Sequence, residues 1–453
     1  MGLAYRLDER TVIRTGGGIY YLPPNLQFSE APWAMPLSSR GTDWVATLDG
    51  GVTPNFPIDD PFPNGFTPAP GNLPHDQAQS LLLGGGYSNF PFRVVRHPYQ
   101  AQWNFTVQRQ LWGGVALEAA YAGSRGVFLP HGVLQINALP SQYLSMGSAL
   151  NNLVPNPFYG LVQTGSLAQP TVQQGQLLRP FPQYTNLNSG GGYNGNSTYH
   201  ALQMKGEKRF GHGATVLAAY TFSKLLGDVS SLTMWLDSGM GPSAGAYGIQ
   251  DANNLRAEKS LAGFDARQRL TLSYVLDLPI GKGQAFLNGG NAAVQRLSSG
   301  WSVSGTSTFQ LGLPLAFSAS PNNASAFGLN LRPNVVAGCN PKRSGPVQER
   351  LNGYFDASCF TVPAPYTLGN ASATDPVLRG PGINNFNFAL LKKTSITEQV
   401  NLEFRGEIYN LFNRVQFGPP NTGVTTSANA TTGYITTQIN QPRLIQLALR
   451  LAF

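Results

Sequence analysis

The residues of this 453-residue chain that could do chemistry are sparse, with charged side chains making up 11% of it, against ~25% in ordinary soluble domains. His75, His97, His131, His200 and His212 are dispersed and show no metal-ligand spacing. Asp8-Glu9 and Asp59-Asp60 are adjacent pairs. A general acid and base must converge on one substrate bond, so these read as solvated turn charges. The glycine runs Gly84 to Gly86 and Gly190 to Gly192 lack the strand-then-helix context of a phosphate-binding loop. No glycine-lysine loop or His-Glu-x-x-His helix occurs, and these are usual carriers of nucleotide and metal-dependent hydrolytic chemistry. We expect no catalysis and no cofactor.

Two sets of residues remain. Cys339 and Cys359 are the only cysteines. They form either a disulfide in an oxidising compartment or two free thiols, and sequence alone does not fix pairing. Zinc is disfavoured, because no histidine lies near them. The second set is Lys205, Glu207, Arg209, Arg269, Glu403, Arg405 and Glu407, all within alternating stretches. The expected role is a network that runs from strand to strand, near the turn ends, and braces a wall or docks a plug. The alternative is a set lining the path of a substrate.

Strands must position these charges. From Pro442 the chain reads PRLIQLALRLAF. Ile445, Leu447, Leu449, Leu451 and Phe453 share one parity; Gln446, Ala448, Arg450 and Ala452 share the other. Alternate residues of a strand point to opposite faces. Upstream, Leu402, Phe404 and Ile408 likewise oppose Glu403, Arg405 and Glu407. Three charges on one face suit a wall with lipid outside and water inside. In a soluble sandwich the same alternation would separate core from solvent.

The same pattern predicts eleven strands: Leu3 to Leu7, Thr11 to Tyr21, Tyr99 to Leu111, Val115 to Arg125, Ser197 to Phe210, Ala214 to Leu226, Ala266 to Leu278, Gly300 to Gly312, Asn385 to Ile396, Gln399 to Asn413 and Arg443 to Phe453. Their connections alternate between short and long, with Pro279 to Ser299 intermediate. Outer-membrane barrels have short periplasmic turns and long external loops. The long connections read as non-periodic loops, with a short helix near Ser141 to Leu150 and loop aromatics Trp33, Trp44, Trp235 and Tyr247 available to a ligand. No run reaches the ~18 apolar residues of a membrane helix. The net charge of +8 is scattered rather than clustered, so no nucleic-acid partner is expected.

The expected fold class is therefore all-β: an antiparallel transmembrane β-barrel spanning residues 1–453. It would be a partial barrel, because eleven strands leave an unpaired edge, which lipid does not tolerate. MGLAYRLDER opens in mid-strand without an export signal, so further strands are expected to precede it.

The stretches VPNPFYG (Val154 to Gly160), STYHALQMKGEKRF (Ser197 to Phe210), YTFSK (Tyr220 to Lys224), YFDASCF (Tyr354 to Phe360), LRGPGINNFNFALLKK (Leu378 to Lys393) and FRGEIYNLFNRVQFGPP (Phe404 to Pro420) occur in strand phase. Together they resemble TonB-dependent outer-membrane transporters, specifically Oar-like barrels of the acidobacterial type. The resemblance implies a barrel of twenty-two strands with an N-terminal plug, of which this chain would be a C-terminal fragment lacking plug and TonB-contacting segment. It implies import of a bulky ligand, such as a siderophore, oligosaccharide or peptide, across the outer membrane of a Gram-negative bacterium. The implied partners are outer-membrane lipid, the TonB complex through the plug segment, and the barrel-assembly machinery, which would read Phe453. A non-transporting, adhesive surface protein is the alternative.

Overall fold

The computed structural model describes residues 1–21, 59–60, 62–63, 65, 82–87, 96–131, 133–162, 165–190, 193–210, 214–229, 248–427 and 430–453. Alternating stretches become eleven long strands: β1 (Gly2–Arg6), β2 (Thr11–Tyr21), β3 (Tyr99–Gln110), β4 (Val115–Pro130), β5 (Tyr193–Arg209), β6 (Thr215–Gly227), β7 (Gln268–Asp277), β8 (Trp301–Gln310), β9 (Ile383–Ser395), β10 (Asn401–Tyr409) and β11 (Leu444–Ala452). They form one antiparallel sheet in strict chain order, with β1 and β11 at its two open edges. The short Ser260–Leu261 strand pairs with the end of β6.

Register turns the alternation into two faces. One cross-strand row reads Val216, Tyr274, Gly305, Phe388, Ile408, Ile445. The adjacent row reads Arg209, Thr215, Val275, Ser304, Ala389, Glu407, Gln446. The first face is apolar and the second mainly polar along the whole sheet, because a period of two keeps each strand in phase with its neighbour. Among described residues, no second layer covers the apolar face. Leu447 and Leu449 are each 69% exposed, and Phe105, Leu202 and Met204 are exposed too. That excludes the sandwich, in which these side chains would be the core.

On this face aromatic rings lie over glycines. A Cβ on Gly123 would meet the Trp103 indole at 2.4 Å, and one on Gly305 would meet the Tyr274 hydroxyl at 2.5 Å. His200 stacks on Tyr121, and its Nδ1 shares a 2.7 Å hydrogen bond with the Tyr121 hydroxyl.

The buried core lies in the long connections. One cluster joins Leu139, Leu144 and Leu150 to Phe327 and Leu329; a second joins Leu315, Phe317, Phe355 and Leu378 to Val424 and Ile435. A third holds Val162, Leu167 and Val172. Short ladders support them: Val133–Gln135 with Asn188–Gly190, Leu153–Pro155 with Thr171–Gln173, Asn334–Val335 with Phe360–Thr361, and a parallel pair, Ser318–Ser320 with Gly423–Thr425.

The described connections are thus a packed cap rather than structureless loops. Asparagine amides do much of the work that a ladder would do. Asn137 Nδ2 donates to the carbonyls of Phe181, Tyr184 and Thr185, and Asn322 Nδ2 to those of Ala364 and Thr367. Such bonds follow no period, so no pattern in the sequence announces them. The expected helix near Ser141 is a 3-10 segment, Ser141–Asn151, broken at Gly147. The turn Gly211 to Gly213 and the aromatics Trp33, Trp44, Trp235 and Tyr247 lie outside the described residues.

Candidate functional site

The polar face and the cap form the candidate site. On β5, Lys205 Nζ lies 3.3 Å from Glu207 Oε2, and Arg209 Nε lies 2.6 Å from Glu207 Oε1. On β10, Arg405 Nη2 lies 2.6 Å from Glu407 Oε1, and the Tyr409 hydroxyl donates to Glu407 Oε2 at 3.2 Å. These ion pairs join residues two apart along one strand. The expectation of a network from strand to strand does not describe them, because same-face neighbours on one strand reach each other as easily as cross-strand partners.

The charges form two groups, not one. Arg209 and Glu407 share a row, but Thr215, Val275, Ser304 and Ala389 stand between them. Five strand steps put them ~24 Å apart at ~4.8 Å per step. On that row and the next, which carries Ser273, Thr306 and Asn387, the floor between is uncharged, and Asp277 stands in the row of Arg405, nearer the turns. Glu403 lies opposite both Lys393 and Arg450 near the turn. Arg269 sits at the start of β7, so it lies at the cap end of the sheet rather than near a turn. Gln108 Nε2 donates to Glu118 Oε2 at 2.5 Å, which extends the β5 group onto β3 and β4.

The cap is held together, and at one point pinned to the wall, by buried ion pairs that no sequence pattern marked. Arg379 Nη2 lies 2.5 Å from Asp265 Oδ2, and its Nη1 donates to the Asp265 and Gly312 carbonyls. Asp265 Oδ1 accepts from the Leu225 amide at 2.7 Å, at the end of β6. Arg332 pairs with Glu258, both almost wholly buried. Removing paired charges from water is costly, so these bonds hold only because each carboxylate and guanidinium is met on several sides. Arg379 lay inside the family-like stretch LRGPG, which was the only available signal. Among the described residues, Arg179 is buried with no carboxylate partner: its Nη1 donates to the Thr185 carbonyl and its Nη2 to the Ala326 carbonyl at 3.2 Å. Burial lowers its pKa to about 10, which leaves it charged at neutral pH.

Cys339 and Cys359 are joined by a disulfide beside the second cluster. Asp356 stands near their sulfurs, but a sulfur bonded to sulfur is not a thiolate ligand for a metal. Hydrogen bonds from the Ser358 side chain and backbone, with Arg343 nearby, hold the Asp356 carboxyl below its usual pKa. The cap also contains a cavity of about 360 Å³ lined by Phe317, Ser318, Ser320, Asn330, Arg332 and Thr422. Hydroxyls, amides and guanidiniums offer hydrogen bonds to a polar ligand. Phe453 follows β11 directly, continues its apolar parity and is almost fully exposed.

The sequence matches the family described as "Outer membrane beta barrel domain" over residues 1–446. A search of curated proteins finds no match. Among solved structures, the outer membrane transporter YddB from Escherichia coli is similar at 9% identity and a TM-score of 0.43, covering 98% of this chain and 39% of that one. The pyoverdine outer membrane receptor FpvA from Pseudomonas aeruginosa is 9% identical with a TM-score of 0.37, covering 100% of this chain and 35% of its own. The ferric-catecholate import receptor Fiu from E. coli is 10% identical with a TM-score of 0.36, covering 100% and 34%. This chain spans between a third and two fifths of the length of these structures.

Proposed function

The chain belongs to the outer membrane β-barrel domain family, and from that premise we propose that it forms part of the wall and the external cap of a receptor that imports a bulky polar ligand. The protein resides in the outer membrane, and its strands are an antiparallel, partial transmembrane barrel. With lipid on the apolar face, the polar face is the lumen. Lys205, Glu207, Arg209, Arg269, Glu403, Arg405 and Glu407 then border an aqueous path. The open edges at β1 and β11 need further strands beside them, since unpaired backbone groups are not tolerated in hydrocarbon.

The observation that carries the reading is the cap. A channel for small solutes has no use for long connections folded around their own cores, clamped by buried ion pairs and cross-linked by Cys339–Cys359. A receptor does, because a pre-ordered surface loses less entropy on capturing a ligand. Siderophores, oligosaccharides and peptides all suit a surface of hydroxyls and amides. Passage would require energy coupling through TonB and a plug, and assembly would use Phe453 as the mark read by the insertion machinery.

The second reading, a surface-binding protein that transports nothing, also uses the cap. Cells carrying the full-length gene would be offered fluorescent siderophore, oligosaccharide and peptide panels with and without a protonophore. Import predicts internal label that the protonophore abolishes while surface binding persists. Surface binding with no energy-dependent uptake would replace the first reading with the second.

A further inference from the structure

We propose that the connection 278–300 between β7 and β8 is an interfacial anchor that lies on the periplasmic leaflet and engages anionic phospholipid. The inference rests on the family placement, not on what the protein carries.

The described connections 7–10, 111–114 and 396–400 at this end of the sheet are tight turns, whereas this one holds a seven-residue helix, Ala292–Ser298. The Asn291 side chain caps its start by accepting from the Val294 amide. Its last turn is tied to the wall from outside. Trp301 and Lys392 are direct cross-strand partners on the apolar face. Trp301 Nε1 donates to the Leu297 carbonyl at 2.8 Å. Lys392 Nζ donates to the carbonyls of Arg296, Leu297 and Ser299 at 2.9, 3.0 and 2.8 Å. Both anchors stand on the lipid-facing rows, so the helix end packs against the outer surface and not against the lumen.

From that position the segment shows apolar side chains that nothing among the described residues covers. Phe286 and Leu287 are exposed, and so are Val294 and Leu297, three residues apart on one helix face. Its charges are Lys282 and Arg296, with no carboxylate between residues 278 and 300. The apolar face above it also carries basic residues near its turn ends: Arg109 and Lys208 occupy its rows there. Apolar side chains continuous with a lipid-facing wall, rimmed by cations and by Trp301, match the membrane interface. Long basic side chains reach from there to phosphate while their stems stay in the apolar layer.

The test places a nitroxide label at Leu297→Cys in the full-length gene product; in this chain Cys339 and Cys359 are bonded to each other, and any further cysteine is replaced by serine. The protein is reconstituted in vesicles of phosphatidylethanolamine and phosphatidylglycerol. Leu161→Cys on the cap, where Leu161 is well exposed, gives the aqueous reference. The ratio of collisions with oxygen to collisions with a water-soluble nickel chelate should be several-fold higher at 297 than at 161. Equal ratios would mean water, and shielding from both reagents would mean a protein partner; either overturns the proposal. Leu287→Cys provides the same reading if the first variant fails to assemble. Exchanging phosphatidylglycerol for phosphatidylcholine should lower the ratio, and no change would refute the anionic-lipid part.

Discussion

Arg379 and Asp265 join a cap connection to the wall through one buried contact, with Nη2 and Oδ2 2.5 Å apart and the second Asp265 oxygen held by the Leu225 amide. The carboxylate therefore ties the segment before β9 to the end of β6. Removing one partner of such a pair strands the other, which costs about 3–5 kcal/mol, whereas replacing both with apolar groups is far milder. Asp265→Asn should lower the urea midpoint of the detergent-solubilised protein and expose the cap to protease. The double variant D265L/R379M should recover most of the loss. A single variant as stable as wild type would show that the pair does not hold the cap down.

The Cys339–Cys359 bond closes a separation of 20 residues. A loop of that size is stabilised by about 3 kcal/mol through the lost freedom of the unfolded chain. Reduction should loosen the second cluster, and trypsin should then cut faster at Arg343 and Arg350. Identical digestion patterns with and without reductant would count against this role.

Gly305 has no room for a side chain, since its Cβ would lie 2.5 Å from the Tyr274 hydroxyl and 2.7 Å from the Asn387 carbonyl oxygen. The ring could swing into lipid, but the backbone oxygen is fixed by the β8–β9 ladder. Gly305→Val should cost about 1–3 kcal/mol, as overpacking generally does, and heat-modified gel migration should shift to lower temperature. Tyr274→Ala alone should be tolerated better, because the lipid side accepts the space.

Burial pushes the His131 imidazole below its ordinary pKa, and the charge of Asp228 partly opposes this. The unfolded chain therefore takes up the proton first. This contribution to stability is complete above pH 6.5, the ordinary value, and declines as pH falls through the window between that value and the lower folded one. Urea midpoints measured from pH 8 to pH 5 should fall in that window, and His131→Phe should flatten the slope. An unchanged slope in the variant would assign the dependence to other groups.

How much of this was legible beforehand depends on whether a feature has a period. β2, β3, β6, β9 and β11 begin and end within two residues of where alternation placed them. Parity alone put Glu403, Arg405 and Glu407 on the face opposite Leu402, Phe404 and Ile408. A strand's geometry converts sequence order directly into side, so the lipid and water faces are written in the chain itself.

Distance across the sheet is written nowhere in the chain. Only register showed that Arg209 and Glu407 share a row and yet stand five strands apart, or that Arg269 lies at the far end from Arg209. The cap was invisible for the same reason. Phe327 meets Leu139, and Arg379 meets Asp265, through tertiary packing between connections that carry no repeat. Sequence thus determined which face each residue takes, and the folded chain decided which residues meet.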